Sequence, residues 1–459
     1  MPGSAVRPAY GAEARSGRCS TGTGTPAEAR EITEALDILS HQGPSRDLAL
    51  AHAMMGYIEA IEANCSEAVG FCTKAIDMAR AVGAEDVVAH GLIYRGIART
   101  GLGDLGGFDD NTKAIEIARE LDHGDFLCRA ATNRAAGLIW LGRHPEAVPY
   151  LDLAEEAGRE HGLDYLLFHV AAQKSHVDLF AGRWDRAATR LRQRLDTKAD
   201  PAAMKIIAMA ILGRILLRRG EEEGPDLIAR AWNMALESRQ VYRIAVAGGA
   251  FVELAWLQDD TATLVSTAEI LLPLAKRSNL AYLRGEVLRY LMRIGVSTTV
   301  FAGCPEGYAA AFAGDTPGAI EAWRRAGNPY EQALEMCNMS DVNLAFDGLR
   351  ILEDLGATAT AARFRKDMRD RGMSGIPRGP RRSTRETPSP LTERQLEVLG
   401  LVAEGLTSSQ IASRLFLSPR TVDNHVSAIS TRIGASSRTQ AVELAADAGW
   451  LERPGDGSS

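Results

Sequence analysis

No CxxC pair occurs among the six cysteines of this 459-residue chain, Cys19, Cys65, Cys72, Cys128, Cys304 and Cys337. Their wide spacing argues against a zinc ribbon or a disulfide framework and reads as reduced thiols in a core. Long apolar runs are missing as well. None approaches the ~18 residues of a membrane span, and the opening MPGSAVRPAYGAEARSGRCSTGTGTP has no apolar core of a secretion signal, so the expected location is the cytoplasm, with no membrane partner. The chain also lacks GxxxxGK[ST], HExxH and GxSxG. That leaves no expected catalytic residue, cofactor or metal site. The glycines of STGTGTP (residues 20–26) come without the phosphate-binding lysine. His169 and His176 sit seven residues apart on a predicted helix, but with no third ligand in the pattern they read as structural. An excess of base is absent too: the net charge is -7. Any contact with phosphate must therefore come from a local concentration of arginine.

What is present is helical periodicity. From residue 46 to 372 Ala and Leu recur at spacings of three and four with few β-branched runs, so strands are not expected. The helices also repeat. Gly142 in WLGRHPEAVPYLDLAEEAG and Gly182 in LFAGRWDRAATRLRQRL are 40 residues apart, and Gly220 follows 38 residues later. AIDMARAVG (75–83) and AIEIARELD (114–122) are 39 apart, and AFAGDTPGAIEAWRRAG (311–327) repeats the glycine, alanine and aromatic placement. Glycine at the turn and alanine on the helices suit stacked helix pairs, so the reading is a tetratricopeptide-like helical-repeat domain over 46–372. Trp184 and Trp323 fall at aromatic positions of the repeat and are expected to pack. The repeats offer either a plain scaffold or a concave surface for a protein or small-molecule ligand.

Residues 1–45 are poor in large apolar side chains near their start and are expected to form a disordered or partly helical lead. Residues 373–390 are a Pro/Gly/Arg-rich linker, and 452–459 a flexible tail. Between Arg363 and Glu386 nine basic residues (Arg363, Arg365, Lys366, Arg369, Arg371, Arg378, Arg381, Arg382, Arg385) face three acids (Asp367, Asp370, Glu386). This belt is either a solvated helix end with its tether or a device that attracts phosphate.

Residues 391–451 carry the most specific pattern. Thr392 with Gln395, Thr407 with Gln410 and Ser437 with Gln440 each have the spacing of a capping box. Ser418 followed by Pro419 gives a fourth helix start. Four short helices follow, and the tight turn within ASRLFLSPRT is that of a helix-turn-helix. On the third helix Val422, Val426, Ile429 and Ile433 form the core stripe. Opposite lie Arg420, Asn424, Ser427, Ala428 and Thr431, with Thr421 and Asp423 on the flanks. Arg and Asn can grip guanine and adenine edges in bidentate fashion, and Ala428 permits close approach. Asp423, three residues after Arg420, is expected either to hold that guanidinium or to accept from a cytosine amine, the first being favoured on proximity alone.

The segment LTERQLEVLGLVAEGLTSSQIASRLFLSPRTVDNHVSAISTRIGASSRTQAVELA resembles the DNA-binding domain of the LuxR family nearly end to end. NPYEQALE, GIPRGPRRSTRE and the helical repeats resemble the C-terminal part of the large ATP-binding LuxR-type regulators, here without the ATPase motif. The resemblance implies an all-α protein, a helical-repeat solenoid followed by a four-helix LuxR-type domain, acting as a transcription factor. It implies double-stranded DNA as partner and a homodimer through the last helix. Carried over by motif position, Arg420, Thr421, Asp423, Asn424, Ser427 and Arg432 are the DNA-binding residues, with His425 supporting the helix. Asp423 stands where many members have lysine, and residues 391–451 hold five arginines, no lysine and six acids. Weak affinity from this domain alone is the expectation. The alternative is a helical-repeat interaction scaffold whose terminal domain has lost specific DNA binding.

Overall fold

The computed structural model describes residues 26–196, 202–238, 240–377, 391, 393–415, 417–448 and 450–451. Among the described residues every regular element is a helix, and the chain divides between Ile376 and Pro377 into two compact units. The parts of the basic belt at Arg378, Arg381, Arg382, Arg385 and Glu386, together with Cys19, Thr392 and the tail 452–459, lie outside the described residues.

In chain order the first unit comprises α1 (Pro26–Ser40), α2 (Arg46–Ile61), α3 (Cys65–Ala81), α4 (Glu85–Gly101), α5 (Gly107–Glu120), α6 (Gly124–Trp140) and α7 (His144–Glu160). It continues with α8 (Asp164–Phe180), α9 (Trp184–Leu195), α10 (Ala202–Arg219), α11 (Glu223–Ser238), α12 (Val241–Leu257) and α13 (Thr261–Arg277). The unit closes with α14 (Ala281–Arg293), α15 (Glu306–Phe312), α16 (Thr316–Ala326), α17 (Pro329–Cys337), α18 (Val342–Asp354) and α19 (Thr358–Asp370). Helix α1 falls inside the expected lead and is seated through Ile32 on Met55 and Ile58 of α2.

The helix ends explain the repeat. Left-handed residues recur about every half period, at Ala63, Gly83, Gly103, Asp122, Gly142, Gly162 and Gly182. Each reverses the chain after one helix, so a ~40-residue repeat is two helices and two turns. From α2 to α14 the even-numbered helices stack on one another as an inner layer, and the odd-numbered ones lie outside them. Inner helices are buried on nearly every side, as α12 shows with Val241, Ala245, Ala247, Val252, Leu254 and Trp256 all enclosed.

The solenoid winds tightly enough for its later coil to fill the concave side of the earlier one. Helix α6 meets α14, and α19 meets both α10 and α12. Asn279 donates to the Thr100 carbonyl at 3.2 Å, and Arg363 to the Trp256 carbonyl at 2.7 Å. Gly182 shows how close this approach is: at φ +75 its absent Cβ would lie 2.7 Å from Leu355 and 2.8 Å from Pro329. A side chain there would be strained and would force the two coils apart.

Closure buries charge. Glu253, fully enclosed on α12, accepts from Arg218 at 2.8 and 3.0 Å, from Arg214, and from the Tyr330 hydroxyl at 2.7 Å. Burial alone would raise its pKa, but Arg214 and Arg218 hold it down at about 2. The Arg218 guanidinium also stacks 3.6 Å from the Tyr330 ring centre. Every strong group here has a partner, which is what a buried ion cluster requires.

Trp184 and Trp323 are packing residues, 1% and 2% exposed; the Trp184 indole donates to the Leu179 carbonyl at 3.0 Å. Cys65, Cys72, Cys128 and Cys337 are buried free thiols and Cys304 a half-buried one. Burial pushes the Cys72, Cys128 and Cys337 thiols up to about 12, far from the reactive range. Within the belt, Arg363 is tied to Trp256, Arg365 pairs with Glu353, and Arg371 donates to the Cys337 carbonyl at 2.8 Å. Those three arginines hold helix ends together, so the charge of the belt is only partly at liberty.

Candidate nucleic-acid interface

The second unit contains α20 (Glu393–Ala403), α21 (Ser408–Leu415), α22 (Pro419–Ile433) and α23 (Arg438–Asp447). Its helix starts follow from the caps. Thr407 Oγ1 accepts from the Gln410 amide at 3.4 Å while Gln410 Oε1 takes the Thr407 amide at 2.8 Å, a complete capping box. Ser418 Oγ accepts from the Thr421 amide at 3.1 Å, and Pro419 occupies the first helical position. Ser437 caps α23 through the Gln440 amide at 3.1 Å, but Gln440 reaches back one residue further than expected, to the Ser436 amide at 2.6 Å. Each such cap contributes about 1 kcal/mol.

Three helices converge on the fourth through a small apolar core: Val398, Leu399 and Leu401 from α20, Ile411 and Ala412 from α21, Val422 and Ile429 from α22, Ala441 and Ala445 from α23. Val422 and Ile429 are completely buried, with Val426 and Ile433 packed at the margin. Burial of each such side chain stabilises by roughly 1.5–3 kcal/mol, enough to fix which way α22 faces. The stripe read from the sequence is therefore the core face, and the opposite face of α22 is left to solvent.

On that face Arg420, Asn424, Ser427, Ala428 and Thr431 are all exposed. Thr421 is half-buried, and its hydroxyl lies 2.7 Å from Ser418 Oγ, so it belongs to the helix cap. Arg432 is exposed but reaches back to α20, its Nη1 donating to Gln395 Oε1 at 3.4 Å. His425 is half-buried beside the core.

Asp423 departs from the expectation that it holds Arg420. Its Oδ1 accepts from the Ser408 hydroxyl at 2.7 Å. Arg438 Nη1 donates to the same hydroxyl oxygen at 3.2 Å, and Nη2 to the Leu406 carbonyl at 3.1 Å. The acid thus joins the N-terminal part of α22 to the first residue of α21, with α23 attached behind. Sequence proximity favoured Arg420 because the pair sits three residues apart on one helix; the crossing of α21 brings the Ser408 hydroxyl within reach of the carboxylate. Ser408 and Arg438 were not among the expected site residues. They lie 15 residues before and after Asp423, and no local pattern links them.

A compact helical core with caps of this kind and a small, polar outward face on its third helix defines a helix-turn-helix domain of the nucleic-acid-binding class. Residues 389–445 match the family model described as bacterial regulatory proteins, luxR family. The C-terminal domain belongs to the LuxR family. It is similar to the DNA-binding transcriptional activator DevR/DosR of Mycobacterium tuberculosis, 45% identical over 69 residues, which cover 15% of this chain and 32% of that protein. It is similar also to the response regulator RamR of Streptomyces coelicolor, 41% identical over 61 residues, or 13% of this chain and 30% of that protein. A longer similarity runs to a Mycobacterium tuberculosis protein named as a candidate HTH-type transcriptional regulator, Rv0890c: 24% identity over 431 residues, covering 84% of this chain and 47% of that one. The chain spans less than half the length of each of these relatives.

No helix among the described residues is long and apolar enough to cross a membrane. Among the described residues there is also no group of three or more His, Cys, Asp or Glu arranged to hold a metal ion. His169 and His176 are half-buried in the solenoid, and burial pushes both down to about 4, so they are neutral at physiological pH.

Proposed function

We propose that the chain is a DNA-binding transcriptional regulator working in the cytoplasm, with α22 entering the major groove of a promoter site. The observation that carries this reading is the outward face of α22, where Arg420, Asn424 and Ser427 stand exposed directly behind a fully buried Val422 and Ile429. A surface helix under no such demand would scatter Glu and Lys there. Arg420 and Asn424 are the base readers, able to make bidentate contacts to guanine and adenine, and Ser427 and Ala428 allow the helix to approach. Thr421 acts through the helix cap and Arg432 at the edge of the same face, toward phosphate. Asp423 is a positioning residue that sets the angle between α21 and α22.

Two copies bind together through α23, which presents Leu444 to solvent, and so recognise two half-sites. The helical repeats serve as sensor or partner platform. No step of this function calls for catalysis or a cofactor.

The test is genome-wide immunoprecipitation of the tagged full chain, followed by titration of the recovered fragments. Discrete peaks sharing an inverted repeat are expected. An empty map across growth conditions would leave the repeats as an interaction scaffold and remove DNA from the account.

A further inference from the structure

We infer that the helical-repeat unit holds a small, neutral, planar ring molecule in a cavity on the axis of the superhelix. The cavity has a volume of about 150 Å³ and lies between inner helices α2, α4, α6 and α8 on one side and the start of α12 on the other. It exists because the chain coils back on itself: the later turn roofs the channel that the earlier turn encloses. A cavity of about this size accepts a benzene-sized guest.

Three observations set the chemistry of the guest. The first is shape, since Tyr94, Trp140, Tyr242 and His169 line the space. The Trp140 and Tyr242 rings are 5.9 Å apart, and His169 stands edge-on to Tyr242 at 6.2 Å. Ring faces and edges on several sides favour a flat aromatic occupant. The second is charge. Among the described residues no Asp, Glu, Lys or Arg lines this cavity, and burial, with Arg243 and Arg129 adding to it, pushes His169 down to about 4. An ion here would lose its water with no charged group among the described lining residues to pair with it, so the guest is neutral.

The third is a set of polar atoms without partners. Trp140 Nε1, Gln173 Oε1, Tyr242 Oη and Ser278 Oγ are all buried and unpaired, and all four residues line the cavity. Gln173 and Ser278 are 0% and 3% exposed. The Gln173 amide nitrogen lies 3.0 Å from His169 Nε2, which leaves its oxygen wanting a donor. Unmade hydrogen bonds of this kind are rare in folded proteins because a buried polar group without a partner destabilises the fold. Trp140 can only donate and the Gln173 oxygen can only accept. A guest that satisfies both carries a donor and an acceptor: a ring carboxamide, a pyrimidine edge or a phenol. The structure therefore assigns this cavity to neutral single-ring ligands with paired hydrogen-bonding edges, independently of whether the second unit binds DNA.

The test is calorimetric titration of the purified full chain, without DNA, with nicotinamide, uracil and phenol as neutral probes and benzoate as an anion of similar size. Saturable binding of at least one neutral probe is expected, with benzoate at least ~10-fold weaker. Trp140→Phe keeps the ring and removes the donor, and should weaken the bound probe about 5-fold. Ala136→Leu fills the cavity from α6 and should abolish binding while the helical circular-dichroism signal and cooperative melting are retained. If Ala136→Leu does not fold, Trp140→Phe and benzoate decide the matter alone. The assignment is overturned if none of the three neutral probes saturates, if benzoate binds as well as they do, or if Trp140→Phe or a folded Ala136→Leu binds unchanged.

Discussion

The Asp423 carboxylate accepts the Ser408 hydroxyl at 2.7 Å, across the turn between the two helices that make the DNA-reading motif. An acid on the face proposed to meet phosphate is thereby given a structural task. It sets the crossing of α21 and α22, and Arg438 braces the same hydroxyl from α23.

From this contact, Asp423→Ala should bind all duplexes somewhat more tightly at low salt, because one negative charge leaves the phosphate-facing surface. The ratio of operator to random-sequence affinity should stay within about 3-fold, while melting drops slightly with the loss of a bond of about 0.5–1.5 kcal/mol. Ser408→Ala should reproduce the melting loss. Anisotropy titrations with operator variants check this: selectivity lost at a single base pair would mean that Asp423 reads a cytosine.

Asn424→Ala should lower affinity for the operator by roughly 1–3 kcal/mol while leaving non-specific binding nearly intact. The side chain is exposed and off the core, so stability should not change. Equal losses on every sequence tested would remove Asn424 from the reading role.

Neutralising Arg381, Arg382 and Arg385 together should flatten the dependence of DNA affinity on salt by up to ~0.9 of a log unit per log unit of salt for each arginine that contacts phosphate. Arg363, Arg365 and Arg371, being tied into the solenoid, should cost stability on substitution. An unchanged salt slope in the triple variant would reduce the linker to a tether.

Glu331→Gln should stabilise the protein at neutral pH. Burial pushes the Glu331 carboxyl up to about 7 from its ordinary 4.5, with Glu286 and Glu335 adding to the rise against the pull of Arg293 and Arg218. The folded state thus keeps a proton that the unfolded chain has released. Stability attributable to this group falls as pH rises from about 4.5 to about 7 and is level above that. The advantage of the variant should grow across that window from near zero to on the order of 3 kcal/mol. His90, His169 and His176, pushed down to about 4, have the opposite sign, so the comparison must be of variant with parent at each pH. Denaturant unfolding at pH 4.5, 6 and 8 measures it, and a flat difference would mean that Glu331 is ionised throughout.

Much of the local structure was legible because it is written in neighbouring residues. Thr407 and Gln410 start α21 by mutual capping, and Val422 and Ile429 recur at the helical period that turns them inward. Glycines 142 and 182 mark turns because a left-handed residue is needed to end those helices. One reading had to change once distant segments were in place: Asp423 turns to Ser408 and not to Arg420. The partners of Arg432 on α20 and of Arg363 on α12 lie 37 and 107 residues away, beyond the reach of any periodicity.

The chain's own order of residues determined that it would be helical, where most helices begin and end, and which stripe of α22 is core, since propensity, caps and burial periodicity act over a few residues. Only the tertiary structure decided that the solenoid closes on itself, buries Glu253 between Arg214 and Arg218, and leaves an uncharged aromatic cavity on its axis. Those features depend on the angle at which each helix pair meets the next. Small rotations accumulate along the stack, so what faces the axis is set by the sum of many contacts and by no single segment.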